Sequence, residues 1–208
     1  MAATALTDAT FQGCRHAIAL RNVCASTLPV LKKLNLNLPM RYSDKFYEDI
    51  LASEQCRAKL ALQASESNKE TKYIGALASR LLVRSSSPGA EALPSELYIM
   101  SLVVDRAFRR IGAASRLLED LYESGVDCGA DTVSLHVQTN NAPAIELYEH
   151  HGFDIVQRID AFYQIGIEKP VTYHADAFLM RRSLQRPDQD LGQKLTMDTT
   201  AMNPGPGA

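Results

Sequence analysis

An apolar run that breaks straight into an amphipathic helix limits what this chain can fold into more than any other feature. Leu97, Ile99, Leu102, Val103 and Val104 fall within eight positions, which reads as a largely buried strand. The chain then turns through residues 105–108. It resumes with Ile111, Ala114, Leu117, Leu118 and Leu121, the spacing of one helical face. The junction is Arg109-Arg110-Ile111-Gly112-Ala113-Ala114, with Ser115 next. A helix start leaves backbone N–H groups unpaired and carries partial positive charge, while Gly and Ala let an anion approach the main chain. Arg106, Arg109, Arg110 and Arg116 add positive charge around it. The stretch therefore reads either as a local phosphate site or as an ordinary α/β crossover with a solvated arginine cluster.

The neighbouring segments supply the rest of a sheet. Residues 16–23 read as a first strand, residues 27–36 as an amphipathic helix, and residues 43–51 as a second short helix. Ser43 is the expected N-cap of that second helix, with Phe46, Ile50 and Leu51 turned inward. Residues 58–63 and 72–83 read as strands joined by a polar loop, 65–71. Residues 85–94, rich in Ser, Pro, Gly and Ala, read as a mobile loop. Residues 132–138 alternate, with Val133, Leu135 and Val137 on one face and Ser134, His136 and Gln138 on the other. Asn140-Asn141-Ala142-Pro143-Ala144 suits a helix start with Asn caps and Pro in the first turn. That helix is expected to stop at Gly152, with Phe153 closing an apolar contact behind it. Residues 154–159 and 177–183 complete the strands. The order is β-α-α-β-β-β-α-β-α-β-β, a mixed α/β sheet that is antiparallel at its start and holds a parallel βαβ in the middle. Residues 1–13 read as a flexible tail, 14–184 as a single domain and 185–208 as a disordered tail.

Composition excludes several function classes. With 208 residues and a net charge of −2, a general nucleic-acid or membrane-surface binder is not expected. Four scattered cysteines without a paired spacing or nearby histidines argue for a reduced, intracellular protein with no metal site. Neither a signal peptide nor an apolar span long enough for a membrane is apparent.

Four blocks in chain order then carry a resemblance. They are Pro39-Met40-Arg41-Tyr42-Ser43-Asp44-Lys45-Phe46-Tyr47; Leu97-Tyr98-Ile99-Met100; Arg109-Arg110-Ile111-Gly112; and Leu135-His136-Val137-Gln138 leading to Asn141, Tyr148 and Gly152-Phe153. On these, about residues 30–182 resemble the N-terminal acetyltransferases of the GNAT superfamily, and among them the NatE type. The pattern R-x-x-G-x-A is similar to that superfamily's pyrophosphate signature. The resemblance implies the GNAT fold with a central splayed parallel strand pair, acetyl-CoA as cofactor, and a protein or peptide N-terminus as substrate. It also implies a protein of the cytoplasm, with the nucleus as a second location, that can associate with the NatA complex and with ribosomes.

It assigns roles residue by residue. Tyr98 and His136 match the family's general base, acting through ordered water. A free α-amine has a pKa of about 7.7–8.0 and must lose a proton before it attacks a thioester, a task suited to histidine. A backbone donor for the acyl oxygen, freed by a bulge, maps to Leu102 or Val103. Leu102, Val103 and Val104 would flank the pantetheine arm, and Arg110, Ile111, Gly112, Ala113, Ala114 and Ser115 the pyrophosphate, with Arg109 beside them. Asn141, Ala144 and Tyr148 match contacts near the coenzyme A sulfur, and Tyr148 is a candidate donor to the leaving thiolate. Leu38, Pro39, Met40, Tyr42, Met100, Phe162 and Tyr163 would hold the peptide, with Met as its first residue.

Two positions depart from the family. An aromatic residue is usual where Leu38 stands, and a Tyr-Tyr pair where Phe162-Tyr163 stand. The missing hydroxyl forgoes a hydrogen bond worth about 0.5–1.5 kcal/mol. Direct transfer to an α-amine is the leading expectation. The alternatives are a lysine side-chain acetyltransferase and a weakly active subunit that only binds acetyl-CoA within a larger complex.

Overall fold

The run 97–104 becomes β4 (Glu96–Val104), the middle strand of a seven-stranded sheet ordered β1-β2-β3-β4-β5-β7-β6. The computed structural model describes residues 18–64, 71–83, 95–164 and 176–184. In chain order the other elements begin with β1 (Ile18–Asn22), α1 (Leu28–Asn35), α2 (Asp44–Ala52), β2 (Cys56–Ala64) and β3 (Thr71–Leu82). They continue with α3 (Ala113–Asp127), β5 (Thr132–Gln138), α4 (Ala142–His150), β6 (Asp154–Ile159) and β7 (Ala177–Ser183). Short 3₁₀ turns lie at Arg106–Phe108 and Phe162–Gln164. The element order is the one read from the sequence.

Both faces of the sheet are covered, which is why β4 is a near-continuous apolar run. On one face α3 and α4 pack Leu117, Leu118, Leu121 and Tyr148 against Leu97, Ile99, Leu135 and Met180. On the other, α1 and α2 bring Leu31, Leu34, Tyr47 and Ile50 onto Leu60, Leu62, Ala76, Ala78 and Val103.

The feature that positions the site is where β4 and β5 separate. Their parallel pairing runs only from Glu96↔Thr132 to Ile99↔Leu135, although both strands continue. Beyond that point the two strands splay, and the backbone edge of β4 facing β5 loses its ladder partner. The β3–β4 register also shifts there, from Ser79↔Ile99 to Ala78↔Ser101, which leaves Met100 as the extra residue of a bulge. The bulge thus lies earlier than the Leu102 or Val103 expected for it.

Local chemistry sets the helix ends. The Ser43 side chain accepts from the Phe46 N–H, as its N-cap position requires. At the end of α4, Gly152 has φ 76, Gly152 N–H donates to Glu149 O and Phe153 N–H to Tyr148 O, both bonds of a Schellman motif. Phe153 then packs edge-on against Tyr148, with ring centroids 5.6 Å apart.

Several expectations shift by a residue or more. Leu51 is 44% exposed, because the inward face of α2 is Tyr47 and Ile50 with Phe46 beside them. Ala113, not Ala114, is the fully covered first residue of α3, and Ile111 precedes the helix. The break lies there because Arg110 (φ 66) and Gly112 (φ 89) both take left-handed conformations. Asn141 caps α4 by position, but its side chain makes no capping bond. Strand β2 starts two residues before the expected Ala58, and β3 takes in Thr71, the last residue of the expected loop. The expected tails, the rest of the polar loop, the whole of the loop 85–94 and residues 165–175 lie outside the described residues. Among the described residues, no helix is long and apolar enough to cross a membrane.

Candidate active site

The splay opens a 340 Å³ cleft floored by β4 and β5. The loop between α1 and α2 closes one side with Leu38, Pro39, Met40 and Tyr42; α4 closes another with Asn141, Ala144 and Tyr148; Phe162 and Tyr163 lie over it. Tyr98, Met100, Leu102 and His136 line the middle. The fold therefore gathers thirteen of the twenty-two residues singled out in the sequence, drawn from five separate segments.

Tyr98 and His136 meet because β4 and β5 are neighbours and part just past them. Tyr98 Oη lies 3.0 Å from His136 Nδ1. Phe162 stacks face to face on the imidazole, with centroids 4.0 Å apart and an interplanar angle of 11°. Tyr163 Oη donates to the His136 carbonyl at 3.1 Å. Across the cleft, Tyr42 Oη donates to the Met100 carbonyl at 2.8 Å while its ring stacks on Phe46 at 4.2 Å. The aromatic residues thus hold both strand edges in place.

Electrostatics separates the roles of the pair. Burial, with the nearby Glu96 carboxylate, pushes the Tyr98 hydroxyl up to about 12. Burial pulls His136 below its ordinary value, partly opposed by Glu96. At neutral pH the imidazole is therefore neutral and able to accept a proton, whereas Tyr98 stays protonated. Tyr42 and Tyr148 are also raised by burial, so both remain proton donors.

The remaining predicted residues lie beyond the cleft lining. Val103 turns its side chain into the α1/α2 core, so only its backbone can serve a ligand, and Val104 is half-buried. Arg109 and Arg110 are exposed, and Arg109 Nε reaches Val104 O at 3.4 Å. The first bond of α3 runs from Arg116 N–H to Gly112 O, which leaves the N–H groups of Ala113, Ala114 and Ser115 at an open helix start. Gly112 has open space where a Cβ would stand, so its left-handed φ, not crowding, selects glycine.

Sequence reading missed Ser101, which lines the cleft with a buried hydroxyl that has no partner among the described residues. It sits between two residues that were singled out, and its strand position was the available signal. An orphaned hydroxyl, an unpaired strand edge and an open helix start together fit a polar, phosphate-bearing ligand laid along β4 and onto α3. No group of His, Cys, Asp and Glu suited to a metal occurs among the described residues. None of Cys24, Cys56 and Cys128 lines the cleft.

A splayed parallel strand pair that opens beside an exposed helix start is the arrangement expected of an acyl-CoA-dependent transferase, and family comparison gives that class. Residues 30–153 match the acetyltransferase (GNAT) family, and the chain belongs to that family. Within it, the chain is similar to the NatE-type N-alpha-acetyltransferases. It is 33% identical to the probable N-acetyltransferase san of Drosophila melanogaster, over 83% of this chain and 84% of that protein. It is 31% identical to N-alpha-acetyltransferase 50 of Danio rerio, over 82% and 90%. The structure of Arabidopsis thaliana Naa50 in complex with the bisubstrate analogue CoA-Ac-MVNAL is 34% identical and superposes with a TM-score of 0.64, covering 80% of this chain and 98% of that one.

Proposed function

We propose that residues 14–184 act as a single catalytic domain that transfers acetyl from acetyl-CoA directly to the free α-amine of proteins or peptides beginning with Met. The observation that carries this reading is the Tyr98–His136 pair at the splay, walled by an apolar and aromatic peptide pocket. The similarity to Arabidopsis Naa50, whose analogue joins coenzyme A to a Met-starting peptide, supports the substrate class. Association with a NatA-type complex at the ribosome is the corresponding partner, on family resemblance alone.

Acetyl-CoA, when bound, supplies the activated acetyl group. Arg109, Arg110 and the N–H groups from Gly112 to Ser115 hold its pyrophosphate, and Leu102, Asn141 and Ala144 flank its arm. Leu38, Pro39, Met40 and Met100 receive the apolar first side chain, while Phe162 and Tyr163 cover the chain end and keep water out. Neutral His136 takes the amine proton through ordered water, with Tyr98 orienting its Nδ1. A backbone N–H of Leu102 or Val103 donates to the acyl oxygen as charge develops there. Tyr148, kept protonated by burial, is the proton donor for the leaving sulfur.

Mass spectrometry after incubation with acetyl-CoA and a peptide library varied at its first two residues tests the assignment. Acetylation is expected only on free N-termini, and best on Met. Equal reaction with N-terminally blocked, lysine-containing peptides would refute α-amine selectivity.

The pH profile follows from the site. As pH falls, protonation of the free substrate amine lowers kcat/KM, and protonation of His136 then lowers kcat. Because the His136 pKa is depressed, kcat at saturating peptide should hold down to pH values below the ordinary histidine value of 6.5 before falling. Because Tyr98 is held protonated up to about 12, its ionisation gives no alkaline loss through roughly pH 10. An alkaline decline below that point that disappears in Tyr98→Phe would contradict this account.

A further inference from the structure

One contact beside the phosphate cradle has no place in the mechanism above. His151, the residue that closes α4, lies with its Nε2 3.0 Å from Ser115 Oγ, in the first turn of α3. The residue is held at its backbone and flanked at its ring. Its own carbonyl accepts from Arg182 Nη1 on β7 at 2.7 Å, and Arg182 lies 4.1 Å over the Tyr122 ring, which flanks the imidazole at 6.1 Å between centroids. His151 is half-buried, and its burial disfavours the charged form, with His150 adding to this.

The chemistry turns on which atom of the pair carries which proton. A neutral imidazole has one N–H and one lone pair, and a hydroxyl has one hydrogen to donate. If Ser115 donated to His151, only its lone pairs would face an incoming anion, and they would repel it. If His151 Nε2–H donates to Ser115 Oγ, the serine hydrogen is released toward the open helix start. There it joins the unpaired N–H groups of Ala113, Ala114 and its own backbone.

We propose that His151 is a positioning residue for the cofactor cradle: it donates to Ser115 Oγ, and so turns that hydroxyl into a donor for the diphosphate of acetyl-CoA. The proposal rests on the cofactor placement proposed above. It links the C-terminal end of α4, the helix that flanks the thioester, to the N-terminal end of α3, which takes the phosphates. Glutamine can also present an N–H at this position. Phenylalanine fills the same space without one.

Calorimetric titration of acetyl-CoA into variants of the full chain tests this. His151→Phe and Ser115→Ala should each weaken binding by about fivefold, the scale of one directed hydrogen bond to a charged group after partial compensation. The double variant should be no weaker than either single one, and His151→Gln should return to within about twofold of the parent. With acetyl-pantetheine, which lacks the phosphates, kcat/KM should be unchanged by His151→Phe. Additive losses, failure of the Gln variant at an unchanged Tm, or an equal loss with acetyl-pantetheine would overturn the proposal. A parent protein that does not bind acetyl-CoA, or binds it equally well after Arg109→Ala and Arg110→Ala, would instead sink the underlying cofactor placement.

Discussion

Replacing His136 with alanine should lower kcat by about 10²–10⁴-fold, the usual range for loss of a positioned general base. Affinity for acetyl-CoA should stay within about threefold in the same variant, because the proposed mechanism puts the imidazole on the acceptor side of the cleft and outside the phosphate cradle. The split follows from the geometry. Tyr98, Phe162 and Tyr163 fix His136 through its Nδ1, its ring face and its carbonyl. Two of those contacts act on the side chain and hold the ring at the place the proposed mechanism assigns to the base. Tyr98→Phe should cost less, roughly tenfold, because a hydroxyl protonated up to about 12 orients the base and does not replace it. Steady-state kinetics paired with a direct binding measurement separates these outcomes. A large loss of cofactor affinity in His136→Ala would show that the side chain belongs to a different part of the site.

The largest stability effect is expected at Phe153. It is 2% exposed, packs edge-on against Tyr148 and lies 6.3 Å from the Tyr122 ring. Truncating a buried phenylalanine to alanine costs about 3–5 kcal/mol, through lost burial and the cavity left behind. For a domain of this size that corresponds to a fall in Tm of roughly 6–20 °C in a thermal melt. The same change removes the apolar contact that locks the end of α4, so Tyr148 loses its backing and KM for acetyl-CoA should rise as well. Leu36→Ala is the matched control. Leu36 is 62% exposed, and its removal should change stability by no more than about 0.5 kcal/mol. A Phe153→Ala protein that melts within a degree or two of its parent would mean that the α4 cap carries little of the fold's stability.

Phe162 gives the departure from the family a physical meaning. Its ring lies flat on His136, a contact that phenylalanine and tyrosine make equally well. On the proposed peptide placement, the hydroxyl it lacks would face the peptide backbone, and the neighbouring Tyr163 hydroxyl donates to the His136 carbonyl. Its cost therefore belongs to peptide affinity and not to base chemistry.

Local pattern was enough to read the order of strands and helices, the Gly152 stop, the Ser43 cap and a turn within residues 109–114. Each of these is decided by residues within a few positions of one another: a spacing of apolar side chains, a hydroxyl before a helix, a glycine where φ must be positive. Leu51 was misread for the same reason, since two adjacent leucine-like positions at a helix end fit the apolar stripe almost equally well. Only packing against β2 decides between them. The bulge at Met100 and the inward turn of Val103 depend on the register between β4 and its neighbours, and Ser101 offered only its strand position, which does not say that its hydroxyl is left without a partner.

The sequence by itself determined which residues could be strand, helix and phosphate turn, because those preferences are short-range and additive along the chain. Tertiary structure alone decided that Tyr98 and His136, far apart in sequence, share a hydrogen bond, and that His151 reaches Ser115. Both contacts exist because the parallel pair stops at Ile99 and Leu135 and because α4 returns beside α3. Such meetings are set by how sheets pair and helices pack over long chain separations, and no spacing within the sequence records them.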